Sequence, residues 1–428
     1  MPLRTKQTGR RDNPLNRAAT PHSRQRGAIA VFVAIFLATL LAVGAFAIDI
    51  ANLIMVKGEL QNAADAAAQA GAQCLYPRTG DTNCVANGPR PDFVAAESAA
   101  AKAATQADKR NAVQGALVTD IVATGGYWNL AGTPNTLQLP PMTPKTDDYP
   151  GLQVIVSKEG VKNGGAVAFY LAKVMAMFDT KGSAAMGLDS ADISATAVSV
   201  VTPPGSVSPG GLFPFAMAKC MYDTFWASGQ PILFKTGDKD LNGLQQTVGE
   251  PWLFRLGNTS KTPFLKPDGV ACDAGQWTPF ADSKAGASVI DSYIPPVQKN
   301  QTQALSPQLA LEDKVYIRTG TTDSLYQDTQ ACSLAGDKRC GYATMVVTAE
   351  AKDGTISPIK AFGCIKILCA NSGGNKETCG LKVDPVTGLT IKNTDKFLEV
   401  QMSNSCPPYS GGGIGPDDGV HNPPKLAF

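Results

Sequence analysis

The chain has 428 residues, with 38 Lys+Arg, 36 Asp+Glu and 2 His, and a formal net charge of +2. That length suits two or three domains. With only His22 and His421, Ser–His–Asp, Cys–His and histidine-metal chemistry lack a plausible histidine, and no G-x-x-x-x-G-K-[ST] run offers a phosphate loop.

The charge is unevenly placed. Residues 1–27 carry Arg4, Lys6, Arg10, Arg11, Arg17, Arg24 and Arg26 against Asp12 alone, which leaves the remaining chain near −4. A basic tail could bind nucleic acid, but here it directly precedes an apolar run. The positive-inside rule explains it more simply, and no nucleic-acid partner is expected. Ala28–Ile48 is apolar apart from Thr39 and Gly44. At 1.5 Å per residue it spans roughly 30 Å, the thickness of a bilayer's hydrocarbon core. A transmembrane helix is therefore expected, with residues 1–27 cytoplasmic and the bulk periplasmic. Ala45-Phe46-Ala47 also offers a signal-peptidase site. Cleavage there would release a secreted or surface β-rich adhesin or binding protein, the alternative reading. The run is longer than a signal core and the helical pattern passes through the site, which favours a retained anchor.

Beyond the anchor, Leu53, Val56, Leu60, Ala63, Ala67, Ala70 and Cys74 recur at alternating spacings of three and four. Asp49 extends the same seam one turn back. This is a packing face along one helix. Its far half is expected to pack on the chain's own head; the membrane half leaves room for another protein, with Asp49 fixing register or lying solvated at the headgroups. Anchor and stalk together would reach roughly 70 Å. A Pro/Gly/Asn-rich loop follows, then a second alanine-rich helix near 92–110. Strands are expected at Ala116–Trp128, Leu152–Ser157 and Ala191–Val201, with a short helix at Val167–Phe178. The fold class is α+β: a long transmembrane and stalk helix with an α+β head over 49–202.

The run "PPGSVSPGG" over 203–211 reads as a Pro/Gly linker. Short β-like runs then mark a second, β-rich domain over 212–406, and 407–428 reads as a disordered tail. All ten cysteines follow the anchor: Cys74, Cys84, Cys220, Cys272, Cys332, Cys340, Cys364, Cys369, Cys379 and Cys406. An oxidising exterior permits disulfides. Cys74–Cys84 and Cys332–Cys340 would close small loops and Cys220–Cys272 a longer one, but sequence leaves connectivity open. The rival, a metal at Cys364, Cys369 and Cys379, lacks a C-x-x-C pair and a nearby histidine.

Two short patterns carry possible chemistry. Asp238, Asp240 and Asn242, followed by Gly243, match the first half of a calcium loop, with Gly249 where its glutamate belongs and Glu250 one place late. An Asx-rich turn explains the same residues. Ser357-Pro358-Ile359-Lys360 matches S-x-x-K without the companion S-D-N and K-T-G motifs, and is read as chance. No other cofactor, no catalytic residue and no small-molecule substrate is expected.

The stretch "QRGAIAVFVAIFLATLLAVGAFAIDIANLIMVKGELQNAADAAAQAGA" resembles the N-terminal segment of TadG-like Flp (tight-adherence) pilus-assembly proteins. The matching residues are Arg26, Gly27, Ala30, Val31, Asp49, Leu60, Gln61, Ala63, Ala64, Asp65, Ala66, Ala67, Ala68, Ala70, Gly71 and Ala72, with Gln69 where the family more often has leucine. A looser similarity to pilin-like heads extends to about residue 202. The resemblance implies a membrane-anchored, non-enzymatic pseudopilin-like component of the pilus-assembly machinery. Its implied partners are other Flp/Tad membrane proteins and pilin-like subunits, and its implied place is the bacterial inner membrane. Two departures qualify it. No carboxylate occurs over Ala28–Phe32 after Gly27, which argues against prepilin-type processing. Asp189–Ser194 does not form the D-x-S-x-S motif of a von Willebrand factor A domain.

Overall fold

A single helix, α1, runs unbroken from Gln25 to Ala72, 48 residues, in the computed structural model. Nothing in its sequence stops it: it contains no proline, and alanine and leucine, the strongest helix formers, dominate. The structure describes residues 25–77, 82–85, 90–105, 111–145, 147–169, 190–227, 230–236, 248–257, 264–265, 271–272, 275–295, 303–320, 322–334, 338–373, 379, 395–407, 410–415 and 419–427. The sequence expectations for the tail before residue 25, for the rest of the helix beginning at Val167 and for Asp238, Asp240 and Asn242 lie outside them.

The chain divides into two units. One holds residues up to Val56 together with Ala166–Ile193: the apolar half of α1, and a short antiparallel ladder of Val167–Ala168 with Ser190–Ala191. The helix expected from Val167 is thus corrected at its start, where the two residues are extended. β-branched Val167 suits a ladder, and the apolar pattern alone could not tell strand from helix.

The second unit, Lys57–Gly165 with Ser194–Phe428, holds the remaining architecture. Helix α2 (Phe93–Thr105) packs on strands β1 (Val122–Asn129) and β2 (Asp148–Lys158). Asp92 caps α2, its Oδ1 accepting the Ala95 N–H at 2.9 Å. With β3 (Ile193–Val200) and β14 (Lys425–Leu426), these strands form a four-stranded sheet in the order β14-β3-β2-β1. The single strand expected over Ala116–Trp128 is two: Ala116–Leu117 ends a tight hairpin, and β1 starts at Val122.

The larger sheet contains β5 (Phe215–Ala218), β6 (Leu253–Leu256), β7 (Gly275–Trp277), β9 (Lys314–Tyr316), β10 (Tyr342–Thr348), β11 (Ile356–Asn371) and β12 (Phe397–Met402). Its order is β6-β12-β11-β10-β5-β7, with β9 paired to β11. Central β10, Tyr-Ala-Thr-Met-Val-Val-Thr, is buried on both faces after its first residue, so it reads as a continuous apolar run rather than an alternation. Met345 and Val347 join one core with Phe215, Tyr222 and Trp277, while Val346 joins another with Ala216, Phe362 and Cys364. The period-two alternation of strands builds both cores from one sheet.

Two sequence expectations are corrected here. The stretch read as a linker contains strand β4 (Pro204–Val207), central in a small sheet between β8 (Leu309–Ala310) and β13 (Ser410–Ile414). Proline is tolerated because Pro204 opens the strand, where its missing N–H costs little. The stretch read as a disordered tail supplies β13 and β14; its Asn422 amide donates to Thr202 O at 2.8 Å. Glycine-rich segments can pair through backbone alone, so composition misleads. Head and β-rich region belong to one unit rather than to domains divided at 203–211.

Candidate functional site

The chain's most distinctive stretch, the alanine-rich part of α1, shows what its residues do. From Leu60 onward the helix buries Leu60, Ala63, Ala64, Ala67, Ala68 and Ala72. Positions four apart stack on one face, and a double row of alanines makes that face flat. Gly71 marks the closest approach. A Cβ there would meet Ala96 O at 2.7 Å, Ala100 Cβ at 2.8 Å and the Leu152 side chain, so α2 and β2 both crowd this residue. Any larger side chain would push the elements apart. The A-G-A end of the segment thus has a steric cause.

Its polar residues have a second role. Gln61 Nε2 donates to Asp65 Oδ1 at 2.8 Å and to Thr196 O on β3 at 3.1 Å. Asp65 therefore holds the Gln61 amide across to the sheet. Glu59 Oε2 accepts the Gln114 N–H at 2.7 Å. At the helix end, the Cys74–Cys84 disulfide ties the turn Gln73–Leu75 to the following loop, and the Asp92 N–H donates to Leu75 O at 2.7 Å. The Tyr76 and His421 rings stack there at 3.6 Å beside a cleft of about 330 Å³ that Gln73, Asn404 and Pro424 also line. Arg90 donates to Asn404 nearby, and burial pushes its guanidinium below the ordinary value, with Asp92 and Tyr76 acting in the opposite direction.

The other half of α1 contrasts. Phe32 and Leu41 are each 73% exposed, and Ile29, Ile35, Phe36, Val43, Phe46 and Ile48 are exposed too. Among the described residues this is the one helix long and apolar enough to cross a membrane. Of the residues assigned to the seam, Val56, Leu60, Ala63 and Ala67 are buried, Asp49 is 3% exposed, and Leu53 and Ala70 are half-buried. Ala64, Ala68 and Gly71 were absent from that assignment. The A-A-D-A-A-A spacing would have shown two of them, since both lie one residue beyond a seam position.

Residues 27–73 match the Tad family model, described as "Putative Flp pilus-assembly TadE/G-like". No curated protein and no solved structure matches the chain. The matched segment coincides almost end to end with α1, so the match covers both the apolar half and the docking face.

The other candidates are placed as follows. Disulfides join Cys332 to Cys340, Cys364 to Cys406 and Cys369 to Cys379, and Cys220 is also disulfide-bonded. Cys364, Cys369 and Cys379 thus carry sulfur–sulfur bonds, and no grouping of metal-ligating side chains occurs among the described residues. Lys360 Nζ binds Glu312 at 2.8 and 2.9 Å, while Ser357 Oγ accepts the Glu350 N–H at 3.1 Å; serine and lysine serve separate contacts.

Proposed function

We propose that this chain is a single-pass membrane protein acting as a structural component of Flp pilus assembly. Residues 1–27 form its cytoplasmic tail, Ala28–Ile48 the membrane span, and the folded bulk lies in the periplasm. One observation carries the reading: a helix matching the Tad family over 27–73 exposes large apolar side chains along its first half and buries small ones along its second. Exposed Phe, Leu and Ile at that density are costly in water and favourable in lipid. The basic flank supports the orientation.

The work is mechanical. The apolar half of the helix anchors the protein, and its far half packs into the head. The exposed half offers large apolar side chains for packing against other pilus-assembly membrane helices and pilin-like subunits. The role is non-enzymatic.

The test is an in-frame deletion scored for surface pili, with the wild-type protein followed by carbonate extraction and protease accessibility in spheroplasts. Loss of pili, carbonate-resistant retention and external digestion of the head are expected. Normal piliation in the deletion strain would refute the assembly role. A protein recovered in the soluble fraction would refute the anchor.

A further inference from the structure

The four-stranded sheet has two faces with different covers. On one, Phe93 of α2 sits against Gly125 and packs edge-on to Tyr127 at 5.5 Å between centroids. On the other, Thr124, Gly126 and Trp128 alternate with those residues. The connection from Asn129 to Asp148 folds back across this second face, with no helix among its described residues. Connections of that length lacking regular structure are uncommon, and are usually either functional or flexible linkers.

This one is pinned hard. Tyr127 and Gln138 exchange backbone hydrogen bonds at 2.8 and 2.9 Å. Gly126 lets the loop approach, since a Cβ there would meet Gln138 O at 2.6 Å. Asp148 Oδ1 accepts from Asn129 Nδ2 and Gln138 Nε2, both at 2.8 Å, and its Oδ2 accepts the Lys145 N–H at 2.9 Å. Burial pushes this carboxyl up, but the hydrogen bonds outweigh it and hold it below its ordinary value, so it is an ionised acceptor at neutral pH. Four prolines, Pro134, Pro140, Pro141 and Pro144, further restrict the loop.

Pinned this way, the loop leaves a groove of about 310 Å³ over the sheet. That is the lower end of the range for small-ligand sites. Thr124 and Gln153, directly opposed in the ladder, form its floor with Trp128; Asn135, Thr136 and Leu139 form its wall. The chemistry is uniform in one respect: among the described residues no charged side chain lines it. Two amides each donate and accept, two hydroxyls do the same, and an indole and two leucines, Leu137 and Leu139, supply apolar surface.

That combination suits a ligand which is neutral, rich in hydroxyls and amides, and apolar on its C–H faces. We propose that this groove binds an N-acetylhexosamine unit of a glycan strand. The sugar hydroxyls and acetamide pair with Asn135, Gln153, Thr124 and Thr136. The acetyl methyl and ring C–H groups meet Leu137 and the exposed Leu139, with the largely buried Trp128 beneath them. An ionic ligand would lose its hydration here without gaining a counter-charge.

The test uses the purified full chain in a zwitterionic, sugar-free detergent. N,N′-diacetylchitobiose is the probe, on the order of 10 mM for weak neutral binding, read by saturation-transfer NMR. Transfer strongest at the acetyl methyl is expected. Gln153→Ala should weaken binding about five-fold, the worth of one neutral hydrogen bond. Thr136→Trp, filling the groove from an exposed loop position, should abolish transfer with melting temperature unchanged. Trp128 is left intact because it belongs to the core. Absent transfer, transfer unchanged in both variants, equal transfer to maltose, or transfer to the neutral peptide Gly-Asn-Gly instead of the sugar would each overturn the proposal. Piliation plays no part in the assay, so this inference and the pilus reading fail separately.

Discussion

The two halves of helix α1 share a backbone conformation and differ in what their side chains meet. From Ile29 to Met55 large apolar groups stand exposed; from Leu60 to Ala72 small ones are buried. The two glycines Gly58 and Gly71 state the contrast most sharply. A Cβ at Gly58 meets nothing within 4 Å, whereas one at Gly71 meets a carbonyl, an alanine and a leucine. Side-chain size is therefore selected by the neighbour, protein or otherwise, while helix propensity serves both halves. A stretch usually treated as one signature combines two surfaces with opposite requirements.

The hardest blow to that contrast is Gly71→Val. Overpacking a site this tight should cost about 3 kcal/mol, seen as a lowered denaturation midpoint of the full chain with membrane retention intact. An unchanged midpoint would mean that α1 does not dock on α2 and β2. Next comes the paired change Cys74→Ser with Cys84→Ser, which frees the helix end. It should cost about 2–3 kcal/mol and raise protease sensitivity after Leu75 without affecting extraction from the membrane. Gln61→Ala removes the bond to Thr196 O and should cost about 1 kcal/mol by the same denaturation assay. Gly58→Ala runs the other way: with open space around it, alanine should stabilise by about 0.5–1 kcal/mol through helix propensity. Opposite signs for Gly58→Ala and Gly71→Val would sharpen the comparison beyond any single value.

The smallest effect lies away from the helix and calibrates the assay. Asp328, on α4 (Asp323–Leu334), faces Asp291 at the end of α3 (Ala287–Asp291). Burial, then a hydrogen bond and the charge of Asp291, raise its pKa to about 6. The folded state holds this proton more tightly than the unfolded chain. Its contribution is full below the ordinary carboxylate range and is lost as pH rises through about 6. Asp328→Asn should therefore raise the melting temperature by about one degree near about pH 7.5 and leave it unchanged near about pH 4, the effect being damped by solvent at this half-exposed site.

How much was legible follows from the range of each interaction. The apolar run declares itself through composition, because a helix apolar on every face needs no period to be recognised. The seam residues Leu60, Ala63 and Ala67 declare themselves through period. The width of the docked face did not, because Ala64 and Ala68 look like their exposed neighbours Ala51 and Ala66. Pro204–Val207 and Ser410–Ile414 were misread because proline and glycine signal turns locally, while their pairing is decided by partners far along the chain. The glycan groove was invisible for the same reason. Thr124 and Gln153 meet across a ladder, and the loop carrying Asn135 and Thr136 has no periodicity to betray that it is pinned.

The edge strand β14 pairs with β3, and Ser199 Oγ reaches Lys425 O across a separation of 226 residues. A growing polypeptide therefore reaches Lys425 long after the rest of that sheet has been made. Until then the β3 edge stays open, an unsatisfied template for stray pairing with a neighbouring copy. A chain of this kind would need a holding factor during that interval, and truncated products would be the first to clump.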